Sequence, residues 1–438
     1  MAVYSIRRDG AQVEYRDDLE HVTLKVGEEQ FADLIGMTEP APITARSAYE
    51  EAIRRPIGAR PLAELAGQAR RACVIVPDST RNAPSGRLLP VILDEMLSGG
   101  LRPQDITVVV AIGVHRAATG RELDEIIGPF RGRIRLVNHD PYTREALVSL
   151  GQTARGTPIE VSRLVYDCDL RVGLAKVEPH EFAGFSGGRK LVLPGVSSES
   201  SIVTNHRPEM ILDPRAYIGI LDGNPVSEDM EEAASRLGLN FVVNTVVDRA
   251  GEPVGVFAGD LIGAHRTAVA FLRSYAEVAL DARPDVIVTT PGTPLNINLY
   301  QSLKPVFAAE PVIAEGGAIV LYSACHEGVG SEDMLKPYDG QTSPDGVIAR
   351  LKQGYKIQMD HALLLSRVQK KGLKLFAASA GAPAEALKTM FIEAAGSPQE
   401  ALDRAIAHVQ AGTRAAGRPV RVLFFPQPQR TLPTIRPH

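Results

Sequence analysis

Apolar residues in this chain fall into short β-branched runs, separated by segments whose apolar positions recur at helical spacing. Ala72-Cys73-Val74-Ile75-Val76 and Ile106-Thr107-Val108-Val109-Val110-Ala111-Ile112 are nearly continuous, which predicts strands covered on both faces, as in a parallel sheet between helices. Residues 134–137 and 170–174 predict two more strands. A helix is predicted over 88–97, closed by Gly99-Gly100. Thr119, with Glu122 three residues on, predicts a capping box for the helix after it. Further along, helices over 229–237 and 263–275 flank a strand over 241–247, and a second α/β run opens at 285–292 and continues with strands at 318–322 and 373–377. The first 70 residues read as a β-rich lead-in followed by helix, and 420–425 reads as a strand that packs back on the first domain. The expected fold is α/β and two-domain, with mostly parallel sheets flanked by helices and the active site in the interdomain cleft. The expected limits are 1–278 for the N-terminal domain, rejoined by 410–438, and 279–409 for the C-terminal domain.

Candidate chemistry gathers where the strands stop. Asp78 and Arg81 follow the first strand, His115 the second, and His180 the strand at 170–174. Ligands of open α/β sheets bind outside the carboxyl ends of the strands, so parallel neighbours would deliver these groups to one rim. The densest stretch is Val177-Glu178-Pro179-His180-Glu181-Phe182-Ala183-Gly184-Phe185-Ser186-Gly187-Gly188-Arg189-Lys190-Leu191-Val192-Leu193-Pro194-Gly195. It joins an imidazole, carboxylates and an ammonium through glycines that let backbone and ligand approach closely. A phosphate-binding P-loop is excluded, because its lysine follows Gly, precedes Ser or Thr and enters a helix, whereas Lys190 follows Arg189 and precedes Leu191. Beyond it, Asn205-His206-Arg207-Pro208 predicts a short helix that stops at His206. Gln301 and Lys304, three apart, would share a helix face.

Of the ten histidines, His21, His265, His408 and His438 have bland surroundings, His139 reads as a turn residue, and His326 and His361 carry no deciding signal. His115, His180 and His206 remain as acid/base groups or metal ligands. The spacing of His180 and His206, with no third ligand nearby, is not that of a protein-only zinc site, so a metal would draw ligands from elsewhere.

Composition narrows the partners. With 48 basic against 52 acidic residues the net charge is −4, which leaves no electrostatic footprint for nucleic acid. No apolar run approaches the roughly 18 residues that span a bilayer, so no membrane role is expected. The first residues lack the apolar core of a secretory signal. Cys73, Cys168 and Cys325 lie far apart in apolar contexts and read as buried free thiols, which makes a cytoplasmic location the expectation.

The 177–195 stretch, with its flanking motifs, resembles the signature of the nickel-pincer lactate racemase family over roughly residues 70–330. The resemblance implies a 2-hydroxyacid racemase or epimerase that moves hydride reversibly to a covalently bound nickel-pincer nucleotide while a base takes the hydroxyl proton. It puts the covalent lysine at Lys190, the nickel ligand at His206 and the two acid/base histidines at His115 and His180. The Asp-x-Thr-Arg motif falls on Asp78, Thr80 and Arg81, and Gln-x-x-Lys on Gln301 and Lys304. Arg81, Gln301 and Lys304 are then expected on the substrate, a small 2-hydroxycarboxylate, and Asp78, Thr80, Ser186, Gly187 and Gly188 on the cofactor. Separate cofactor-biosynthesis proteins are implied as partners. The residues alone also allow an alternative, a hydrolase or lyase holding Zn or Mn through His115, His180 and His206.

Overall fold

A computed structural model of the chain describes residues 4–9, 12–17, 22–27, 30–81, 83–412 and 417–436, so His21 and His438 lie outside the described residues. It divides into two units, Glu39–Tyr275 and Met1–Thr38 with Ala276–His438.

The Glu39–Tyr275 unit is built on a six-stranded sheet. Its spatial order is Pro253–Gly259, Phe241–Val247, Leu170–Lys176, Ala72–Pro77, Ile106–Ala111, Arg135–Asn138. Every neighbouring pair is parallel except the first. All six residues of Ala72–Pro77 are buried, which is why that run is continuously apolar rather than alternating. Each Val or Ile so covered contributes ~1.5–3 kcal/mol relative to an exposed one. The chain builds outward from Ala72–Pro77 through Ile106–Ala111 to Arg135–Asn138, then returns to add Leu170–Lys176 on the other side. The order therefore reverses beside the central strand, and such a switch point opens a crevice at the strands' carboxyl ends.

The other unit carries an all-parallel six-stranded sheet, in order Glu393–Ala395, Lys374–Ala378, Ala318–Tyr322, Val286–Thr289, Arg421–Phe424, Phe31–Leu34. A three-stranded antiparallel meander, Tyr4–Asp9, Gln12–Asp17 and Val22–Gly27, precedes it in the chain.

Two segments pair elsewhere than expected. Arg421–Phe424 lies between Val286–Thr289 and Phe31–Leu34, so the returning strand and the lead-in both belong with 276–438 rather than with the first domain. An apolar run records that a strand is covered; it does not record which strand takes its N–H and C=O groups. No helix among the described residues is long and apolar enough to cross a membrane. All three cysteines are buried free thiols.

Candidate active site

The loop after each central strand carries a polar group to the switch point. Asp78 directly follows Ala72–Pro77 and is 5% exposed. Its Oδ2 lies 2.8 Å from Nδ1 of His115, which sits past the end of Ile106–Ala111. A carboxylate only accepts, so Nδ1 carries the hydrogen, and in the neutral ring the lone pair sits on Nε2. The His115 loop is braced from outside: Arg116 is bidentate to Glu122, and Glu122 also accepts from Ser79 and Thr119. Glu122 belongs to the capping box of Gly120–Ile127, and Arg116 first, then Ser79, hold its carboxyl well below the ordinary range.

Past Leu170–Lys176 the chain turns into a hairpin of only two residues a side, Pro179–His180 with Gly184–Phe185. Gly184 holds φ +74, and a Cβ there would meet the Ile220 carbonyl oxygen at 2.0 Å. Phe182, at the hairpin's tip, is 2% exposed. Its ring stands edge-on to His180 at 4.7 Å and to His206 at 5.2 Å, and Nζ of Lys190 lies 5.8 Å from its centroid. One phenyl ring thus gathers two imidazoles and an amine. Asn224 anchors the tip by donating to the Phe182 carbonyl at 2.9 Å while its Oδ1 caps the helix Pro225–Leu237. Nδ1 of His180 lies 3.4 Å from both the Ala183 N–H and Glu181 Oε2, so a donor and an acceptor are both within its reach.

His206 is the residue at the end of Glu199–Asn205. Its Nδ1 lies 3.0 Å from the Ile202 carbonyl, which only accepts, so Nδ1–H donates and Nε2 is left as a lone-pair nitrogen. Burial first, and then the Lys190 ammonium, push its pKa down to about 3, with Arg81 adding to the depression and Glu181 opposing it. His206 is therefore neutral at physiological pH, the form that ligates metals. The same influences put Arg81, Lys190 and Glu181 in one electrostatic neighbourhood with it.

Lys190 lies in a short 3-10 turn, Gly188–Leu191, with its N–H on the Gly187 carbonyl at 2.8 Å. The residues expected on the cofactor are largely engaged within the protein. Ser186 Oγ donates to the Lys176 carbonyl at 2.8 Å and accepts from the Glu178 N–H at 2.9 Å. Gly188 N–H donates to Asn244 Oδ1 at 3.0 Å. Asp78 faces His115, and the Thr80 side chain lies outside the described residues. Gln301 and Lys304 belong to the other unit, in successive short helices, Leu299–Ser302 and Lys304–Ala309, with Leu303 still helical between them. Gln301 Oε1 is buried there without a hydrogen-bond partner among the described residues.

Phe182, Asn224, Asn244, Arg189 and His265 escaped the sequence reading as contributors. A signal existed for Asn224, since Asn before Pro is a helix start. His139 keeps its structural role, donating from Nε2 to the Ser197 carbonyl at 2.9 Å. Among the described residues no three His, Cys, Asp or Glu side chains converge as a metal-binding group. The alternative protein-only Zn or Mn site therefore lacks its ligand set there.

Imidazoles, a guanidinium and an amine gather near the switch point of a mostly parallel sheet, the place where open α/β proteins bind their ligands. Comparison with known proteins makes this specific. The lactate racemase N-terminal domain family matches residues 18–219, and the lactate racemase C-terminal domain family matches 280–416. The chain is 34% identical over 303 residues to the lactate racemase of Thermoanaerobacterium thermosaccharolyticum, covering 69% of this chain and 71% of that one. It is 32% identical over 319 residues to the lactate racemase of Lactiplantibacillus plantarum, covering 72% and 75%. The lactate racemase apoprotein structure from T. thermosaccharolyticum superposes with TM-score 0.84 at 28% identity, over 95% of this chain and 97% of that one. A Thermotoga maritima protein structure shares the fold at TM-score 0.68 and 19% identity, over 91% and 100%. The chain belongs to the lactate racemase family and is an isomerase of that family.

Proposed function

We propose that this isomerase is a 2-hydroxyacid racemase or epimerase working with a nickel-pincer nucleotide, which Lys190 would hold covalently and His206 would ligate through nickel. One observation carries the reading: Phe182 seats the Lys190 amine and the His206 and His180 imidazoles around a single ring. The donor chemistry fits the group. A neutral imidazole whose Nδ1–H is fixed on Ile202 offers Nε2, and planar coordination by sulfur with one such nitrogen suits Ni(II). When bound, the nucleotide supplies a reversible acceptor for the hydrogen on the substrate's carbinol carbon.

The chain's own residues have separate tasks. His115, with Nδ1–H on Asp78, offers Nε2 to a substrate hydroxyl proton and returns that proton as an acid. His180 does the same for the opposite stereoisomer, with Phe182 fixing its ring edge-on. The Arg81 guanidinium binds the substrate carboxylate, a role its planar fork fills better than an ammonium. Lys304 is assigned to the carboxylate as a point charge and Gln301 to a remaining substrate oxygen. Asp78 is assigned to orienting His115 rather than to the cofactor. Cofactor-making proteins are the expected partners. The relatives' names make lactate a first substrate to try.

The test is a chiral assay on a panel of 2-hydroxyacids, using protein produced together with the cofactor-making proteins. Interconversion of at least one pair of stereoisomers is expected. A nickel-loaded protein that interconverts none of them overturns the reading.

A further inference from the structure

We propose that Arg189 and His265 are positioning residues for this site: together they hold the 179–188 segment in the shape that places His180 and Lys190. The inference rests on the racemase reading for its kinetic consequence, but not for its geometry.

The hairpin Pro179–His180 with Gly184–Phe185 is two residues a side, too small to hold itself. Its carbonyls show what holds it. Nη2 of Arg189 donates to the Ala183 carbonyl at 3.1 Å and to the Phe185 carbonyl at 2.9 Å. Nε2 of His265, from the helix Gly263–Ala276, lies 2.8 Å from the Ser186 carbonyl. Nη1 of Arg189 lies 2.9 Å from that same Nε2 and 3.3 Å from Nδ1. A carbonyl only accepts, so with the ring hydrogen on Nε2 and directed at Ser186, Nδ1 is the nitrogen left to accept from Arg189. Two side chains thus bind three carbonyls within four residues and also bind each other.

Arg189 is 2% exposed and forms no ion pair among the described residues. A buried cation without a carboxylate is costly, and a packed apolar side chain would avoid that cost. What an apolar side chain cannot do is span two carbonyls with a rigid fork. A glycine points the same way. Gly187 holds φ +115, and a Cβ there would lie 2.5 Å from Cδ2 of His265. The space its missing side chain leaves is taken by the imidazole. Lys190 then hangs its N–H on the carbonyl of Gly187, the residue His265 abuts. Displacing His265 or Arg189 therefore moves both His180 and the Lys190 backbone.

The test compares His265→Leu, His265→Gln and Arg189→Lys with wild type. Gln can supply an N–H to the Ser186 carbonyl and Leu cannot; Lys keeps the charge of Arg189 but loses the fork. Two readouts use the apoprotein: the ring carbon resonance of His180, and the acylation rate of Lys190 relative to the exposed Lys352, read by peptide mass spectrometry. In His265→Leu and in Arg189→Lys the His180 resonance should shift and the relative Lys190 rate change by about fivefold or more. In the cofactor-loaded enzyme kcat should fall by roughly tenfold or more with KM little changed. His265→Gln should restore the resonance and the rate to near wild type. If a folded His265→Leu or Arg189→Lys keeps the wild-type resonance and rate, or if His265→Gln behaves as His265→Leu does, the proposal is wrong. Should His265→Leu not fold, Arg189→Lys alone decides. Apoprotein changes as expected, beside a loaded wild type that racemises nothing, would sink the racemase reading and leave the positioning role standing.

Discussion

Oδ2 of Asp78 lies 2.8 Å from Nδ1 of His115, joining the ends of two adjacent strands of the central sheet. The carboxylate fixes which ring nitrogen carries the hydrogen, and so leaves Nε2 for the proposed role as base. Asp78→Asn can present an N–H to the ring and invert that tautomer. It should lower kcat/KM by about 10²-fold to 10⁴-fold with little change in stability. A catalyst leaves the equilibrium constant untouched, so the loss must be equal from either stereoisomer. Initial rates measured from both directions check this.

Phe182 is predicted to matter for stability and for the site together. Phe182→Leu leaves part of a buried ring's volume empty and should cost about 1–2 kcal/mol in urea unfolding. Because His180, His206 and Lys190 all abut that ring, the same variant should retain less nickel after gel filtration than wild type. Nickel retention equal to wild type would show that the ring only fills space.

Gly187→Ala tests the backbone of the loop. The residue would take φ +115 and crowd the His265 ring, so a loss of roughly 2–4 kcal/mol or a displaced loop is expected. Thermal melts of the variant, compared with a surface Gly→Ala control at Gly120, measure it; a Cβ at Gly120 meets nothing within 4 Å.

The buried histidines are predicted to weaken the fold as pH falls. Burial, and then Arg189, push the pKa of His265 down to about 3, and burial also lowers that of His139. A group whose folded pKa is depressed binds fewer protons folded than unfolded below the unfolded pKa. Its contribution is complete above the ordinary imidazole value near 6.5 and is lost as pH falls toward the folded value. Between about pH 6.5 and pH 5, His265 alone should remove on the order of 2 kcal/mol. Urea midpoints at those two pH values should differ by less in His265→Gln than in wild type.

Much of the fold is legible in the residues, for local reasons. Ala72–Pro77 announces itself as a doubly covered strand, Thr119 with Glu122 as a capping box, and Pro208 as the stop that leaves His206 at a helix end. What is not legible is non-local. Pairing of Arg421–Phe424 with Val286–Thr289 and Phe31–Leu34 depends on partners hundreds of residues away. His265 looks bland because its partners, Arg189 and Ser186, lie 76 and 79 residues earlier. Phe182 reads as an ordinary core aromatic until the turn brings three functional groups around it. The antiparallel edge strand Pro253–Gly259 goes unseen because its Pro and Gly residues break the apolar pattern.

The central claim is that the Lys190 amine is the attachment point of the cofactor. The most direct measurement is the intact mass, with nickel content, of wild type and Lys190→Ala produced beside the cofactor-making proteins. Wild type should carry a covalent nucleotide-sized adduct and nickel, and Lys190→Ala should show the bare chain mass. An equal adduct on both proteins would contradict it.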